Sequence, residues 1–138
     1  MASNLWYAKV FKNIYTIVKS KMPLNLAKYS INFTSEVVND TPTRFPTVCI
    51  NELPAYEIGR DIDNTEINAI EESIRVYVYC NTNMTDCSTI MNEAVLQMKA
   101  LRFNVTSFPL YSKTNNVVNG VATFRRTIGR GDTDLVIN

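Results

Sequence analysis

The sequence predicts an α+β domain, a mostly antiparallel β-sheet of about four to six strands with two α-helices packed on one face. Three observations predict it. From Glu72 to Cys80 the chain alternates with a period of two, Ile74, Val76 and Val78 against Arg75, Tyr77 and Tyr79. Alternation of this kind marks a strand, and bulk on both faces makes it a central one. Two segments, 3–22 and 83–102, instead repeat apolar residues every three or four positions, the period of an amphipathic helix. Near the end, Asn119-Gly120 lies between Val118 and Val121, a two-residue pair that favours a type I′ hairpin.

The first helix is expected from Ser3 to about Met22. Tyr7, Val10, Phe11, Ile14, Tyr15, Ile17 and Val18 form its apolar stripe, Ser3 or Asn4 caps it, and Pro23 ends it. Ile31, Phe33, Ser35 and Val37 alternate weakly and suggest an edge strand over 31–38, followed by a loop at 40–44 punctuated by Pro42. Thr47 to Leu53 reads as a strand with Pro46 at its start, where a missing N–H does least harm. Pro54 interrupts it, and Tyr56 to Asp61 forms a further short strand. The polar stretch from Asp61 to Asn68 is an exposed loop, long enough to serve as a contact element.

Asn83 or Thr85 caps the second helix, and Asp86 in its first turn suits the helix dipole. Cys87, Ile90, Met91, Ala94, Met98 and Leu101 make its buried stripe. The returning strand of the hairpin, Val121 to Ile128, sets Ala122, Phe124, Arg126 and Ile128 opposite Val121, Thr123, Arg125 and Thr127. Gly129 and Gly131 then release the tail.

At 138 residues the chain, 1–138, is one domain, and its 46% hydrophobic and 20% charged content suits a packed core. A net charge of +1 gives no general attraction to nucleic acid or anionic membrane. The charges are nonetheless segregated. Lys9, Lys12, Lys19, Lys21 and Lys28 make the start basic. Glu52, Glu57, Asp61, Asp63, Glu66, Glu71 and Glu72 make the middle acidic, and Arg125, Arg126 and Arg130 restore positive charge. Opposite patches of this kind suit head-to-tail self-association.

Chemistry finds little support. The chain has no histidine, which removes the commonest general base and the usual serine and cysteine hydrolase arrangements. Phosphate-binding glycine fingerprints are absent. Cys49, Cys80 and Cys87 form no C-x-x-C pair and read as core residues in a reducing compartment. Asp61 and Asp63 with Glu66 offer carboxylates for a hard cation or an acid/base pair, but the loop lacks the glycine and bidentate glutamate of a calcium site. A solvated or interfacial acidic loop is the better reading, and no cofactor is expected. Arg125 and Arg126 point to opposite faces of their strand, so they cannot form one phosphate-binding patch. Lys9, Lys12 and Asn13 interrupt the first apolar stretch, so neither a secretory signal nor a membrane span fits.

The run from Phe45 to Asn81 resembles the tail terminator proteins of long-tailed bacteriophages. Carrying the resemblance are Phe45-Pro46 opening a strand that holds Glu52, the Asp61 to Glu66 loop, and the strand ending Val78-Tyr79-Cys80-Asn81. A helix closing on Leu101-Arg102-Phe103 and the strand with Phe124-Arg125-Arg126 follow. Arg102 stands where the family often has glycine. The resemblance implies a structural, non-enzymatic virion protein, assembled in the host cytoplasm as a ring, commonly a hexamer. It would cap the tail tube, stop tube polymerisation and meet the head connector or stopper, while DNA passes through the channel unread. Within that picture Glu57, Asp61, Asp63, Glu66 and Glu71 belong to an acidic channel or interface loop. Arg125, Arg126 and Arg130 would face a neighbouring subunit. The alternatives are another neck component (a stopper or head–tail adaptor), a small metal-dependent enzyme, and a regulatory binding module.

Overall fold

The structure, a computed structural model, describes residues 5–36, 42, 44–59, 65–132 and 135. The chain begins with a 3₁₀ turn, Trp6–Lys9, that runs into α1, Val10–Asn25. Strands β1 (Asn32–Thr34), β2 (Thr47–Glu52), β3 (Tyr56–Ile58) and β4 (Ala69–Cys80) follow, then α2 (Met84–Ala100), β5 (Asn104–Thr114) and β6 (Val117–Gly129). The six strands form one sheet in the order β1-β2-β4-β6-β5, with β3 pairing β4 beyond the end of β2. Only β1 and β2 run parallel, so the expected α+β architecture is present as a mixed, mainly antiparallel sheet.

One face of the sheet carries the core. Ile70, Ile74, Val76 and Val78 of β4, with Val118, Ala122, Phe124 and Ile128 of β6, are buried with both helices. α2 contributes Cys87, Ile90, Met91, Ala94 and Met98, the stripe read from its period. Asn83 caps it by accepting a hydrogen bond from the Asp86 amide at 2.8 Å. α1 buries a narrower line than expected, Val10, Ile14, Val18 and Met22, one residue every fourth position. A polar tie joins the helices: Asn25 Nδ2 donates to Glu93 Oε2 at 3.0 Å, and Gln97 donates to the same oxygen at 2.6 Å.

Three local expectations are corrected. Pro23 lies inside the last turn of α1 instead of ending it. Met22 is fully buried and Asn25 is anchored to Glu93, and these contacts keep the turn helical through the proline. The hairpin turn is Asn115-Asn116, both with positive φ (51° and 66°), joining the paired residues Thr114 and Val117. Asparagine reaches the left-handed region locally, so the pair supplies what a type I′ turn requires. Gly120 sits inside β6 opposite Tyr111, where a Cβ would lie 2.8 Å from the tyrosine ring. Its small size, not its freedom at φ, is what the fold uses.

The tail, finally, is held instead of released. Asp132 Oδ2 accepts from the Gly129 amide at 2.8 Å and lies 3.4 Å from Arg126 Nη2. Leu135 is fully buried, and its carbonyl accepts from Asn13 Nδ2 at 2.7 Å. Arg102 follows α2 with φ 66°, taking without glycine the left-handed conformation that closes a helix. The Phe103 amide donates back to the Met98 carbonyl at 3.0 Å, and Phe103 is buried. The expected caps Ser3 and Asn4, the end of the predicted edge strand at 37–38, residues 40, 41 and 43 of the following loop, and Asp61 and Asp63 lie outside the described residues.

Candidate interaction surface

The second face of the sheet carries no helix among the described residues. Glu71, Ser73, Arg75, Tyr77 and Tyr79 of β4 lie on it, with Val121, Thr123, Arg125 and Thr127 of β6. Tyr77 and Tyr79 stack at 6.3 Å between ring centroids. Of the predicted charged residues, Glu71 and Arg125 lie on this face and meet each other within the chain. Glu71 Oε1 lies 3.6 Å from Arg125 Nε, and Glu71 Oε2 accepts from Thr127 Oγ1 at 2.8 Å. Glu66 Oε2 lies 3.3 Å from Arg130 Nη1. Arg126 points to the other face and is buried. Its Nη1 donates to the Leu101 carbonyl at 2.9 Å, which closes the C-terminal end of α2. A guanidinium enclosed in its own chain is removed from any subunit contact, so of the three predicted interface arginines only Arg125 and Arg130 reach the surface.

The acidic connection is fixed at its base. Gly59 has φ 66°, Asn68 Nδ2 donates to the Gly59 carbonyl at 3.2 Å, and the Arg130 amide donates to the Asn68 carbonyl at 3.0 Å. Trp6 Nε1 donates to the Ile67 carbonyl at 2.9 Å, bringing the 3₁₀ turn alongside. Between this turn and the β2–β3 corner lies an open pocket of about 220 Å³. Tyr7, Tyr56, Ile67 and Ile70 give it an apolar lining, and Glu52 and Glu57 add two carboxylates. At the far edge of the sheet, β5 breaks register between Ser107 and Leu110. There Phe108 is 74% and Leu110 72% exposed, unusual for large apolar side chains on a strand.

One carboxylate behaves differently from the rest of the acidic run. Glu72 is 1% exposed on the helix-facing side of β4, and its side chain makes no hydrogen bond among the described residues. Burial first, and the Glu52 carboxyl beside it second, push its pKa up to about 9. It is therefore protonated at neutral pH and adds no negative charge to the surface. The signal was present in the sequence, since Glu72 has the same parity as Ile74, Val76 and Val78.

The thiols of Cys49, Cys80 and Cys87 are free and buried. Burial pushes the Cys49 thiol up to about 11, whereas a hydrogen bond from Cys87 lowers Cys80. Among the described residues no three His, Cys, Asp or Glu side chains gather as a metal site would require, and no helix is long and apolar enough to cross a membrane. No protein-family model matches the chain, and a search of curated proteins finds no match either.

Proposed function

We propose that the chain is a structural protein of a phage tail, a terminator whose copies form a ring on the last ring of the tail tube. The ring stops tube growth and presents a surface to the head connector, and DNA passes through it without sequence recognition. The observation that carries the reading is the order of elements. The strand after Phe45-Pro46, the acidic connection, the central strand ending at Cys80, the helix closing on Phe103 and the arginine-bearing last strand follow one another as the resemblance requires. A sheet face that carries no helix among the described residues, and an apolar edge exposed at Phe108 and Leu110, are also what a subunit built for assembly needs.

Acid-rich sequence near the channel would repel phosphate and let DNA slide. Glu66 and Glu71 pair with Arg130 and Arg125, and Glu57, Asp61 and Asp63 belong to the same acidic run of sequence. The test adds the purified protein to polymerising tail-tube protein and measures tube lengths by electron microscopy. Shortened tubes of fixed length, with extra density at one end, are expected. An unchanged length distribution sinks the proposal, and binding to DNA-filled heads in place of tubes moves the protein to the stopper position.

A further inference from the structure

The sheet has an apolar knob at one edge and an apolar pocket at the other. Phe108 and Leu110 project from the register break in β5, the last strand on one side. The pocket of about 220 Å³ lies in the β2–β3 lane, with β4 and β6 between it and β5. A dry cavity of about 150 Å³ already admits a benzene ring, so this pocket has room for a phenylalanine side chain. Its apolar walls, Tyr7, Tyr56, Ile67 and Ile70, are partners a phenyl group would displace water to reach.

The charges around the two features are complementary. β5, the strand that bears the knob, carries Lys113 and no acidic residue. The pocket presents Glu52 and Glu57. Two such features on opposite edges cannot satisfy each other within one chain. A knob and a distant pocket on the same molecule make a heterologous, head-to-tail contact, which closes into a ring when the rotation permits.

We infer that Phe108 of one copy, flanked by Leu110, enters the pocket between Tyr7, Tyr56 and Ile67 of the next copy, and that this contact joins neighbouring subunits. The inference rests on the ring reading above and supplies the residues through which the ring would form. Association then needs both features. A chain lacking only the knob still offers a pocket, and a chain lacking only the pocket still offers a knob.

Native mass spectrometry of the full chain tests this with Phe108→Asp, which removes the knob, and Ala55→Trp, which fills the pocket. Both positions are exposed, so both variants are expected to fold, as circular dichroism and melting temperature will show. The wild-type chain is expected to form closed multimers and each variant to stay monomeric. An equimolar mixture of the two variants should form a one-to-one dimer and nothing larger, because only one productive contact is left. Multimers of wild-type size from Phe108→Asp would overturn the inference while leaving a ring built on another surface. Ala55→Trp pairing only with itself would point to a two-fold contact and overturn it as well, as would a wild-type chain that stays monomeric together with a mixture that gives no dimer. Failure to shorten tail tubes, with the mixed dimer present, would instead remove the terminator reading and leave the contact standing.

Discussion

Glu72 shows how one residue can oppose the composition around it. In the sequence it completes an acidic run, yet the strand's period of two, carried back from Ile74, places it among core residues. The structure buries it at 1% exposure with no hydrogen bond among the described residues. A carboxyl whose folded pKa stands at about 9, above its ordinary value, binds its proton more tightly in the folded state. Its contribution to stability is then full below the ordinary carboxyl range and is lost as pH rises through about 9. Between about pH 5 and pH 9 the wild-type chain should therefore lose stability as pH rises. Glu72→Met removes the ionisable group and the unsatisfied polar atoms, and should stabilise the fold at pH 8 by about 1–3 kcal/mol. Urea unfolding of both proteins at pH 5 and pH 8 measures it. An equal fall in stability in both would show that Glu72 does not carry the pH dependence. Arg126 follows the same rule. Its parity with Phe124 and Ile128 signalled burial, but its charge suggested an interface, and only the structure supplies the Leu101 carbonyl and Asp132 that receive it.

At the scale of elements, sequence reading succeeded where periodicity is long and failed where a small residue has two uses. The buried stripe of α2 and the central position of β4 were both legible, because the alternation read from Glu72 to Cys80 leaves little choice of face, and the structure extends it back to Ala69. The hairpin was legible as a hairpin but not in its position. Asn119-Gly120 has turn chemistry, but Asn115-Asn116 has enough of it, and placing the turn there puts Gly120 opposite the Tyr111 ring. Glycine in the strand is then a matter of space. Gly120→Ala should destabilise by about 1–3 kcal/mol, the usual cost of overpacking a filled site. In a Tyr111→Ala background most of that cost should vanish, since the ring that meets the new methyl group is gone. A double-mutant cycle by thermal unfolding reads the coupling. An unrelieved loss would instead mean that Gly120 is needed for its backbone conformation. The tail was misread for a related reason. Gly129 and Gly131 look like an exit, but Asp132 and Leu135 turn the chain back onto α1, and that return depends on partners far away in sequence.

For the whole molecule, charge segregation was visible from the start, but its consequence was not. The acidic middle and basic end first suggested two free patches, whereas Glu66 and Glu71 are held by Arg130 and Arg125 of the same chain, and Glu72 is buried. Among the described residues Glu52 and Glu57 line the pocket, and the sequence of β5 has no acidic residue. The 3₁₀ turn and α1 add exposed Lys9, Lys12, Lys19 and Lys21, with no acidic residue before Glu36. Attraction between such separated surface charges acts mainly on the rate of encounter and falls within a Debye length of about 8 Å at physiological salt. The apolar knob and pocket feel salt far less. Under the proposed contact, association followed by light scattering should therefore slow as sodium chloride rises, while an assembly already formed should survive. Glu52→Gln should lower the rate at low salt and flatten its salt dependence, with little change at high salt. Equal slopes for wild type and variant would show that the pocket carboxylates do not guide the encounter, and would leave the apolar contact alone to specify the neighbour.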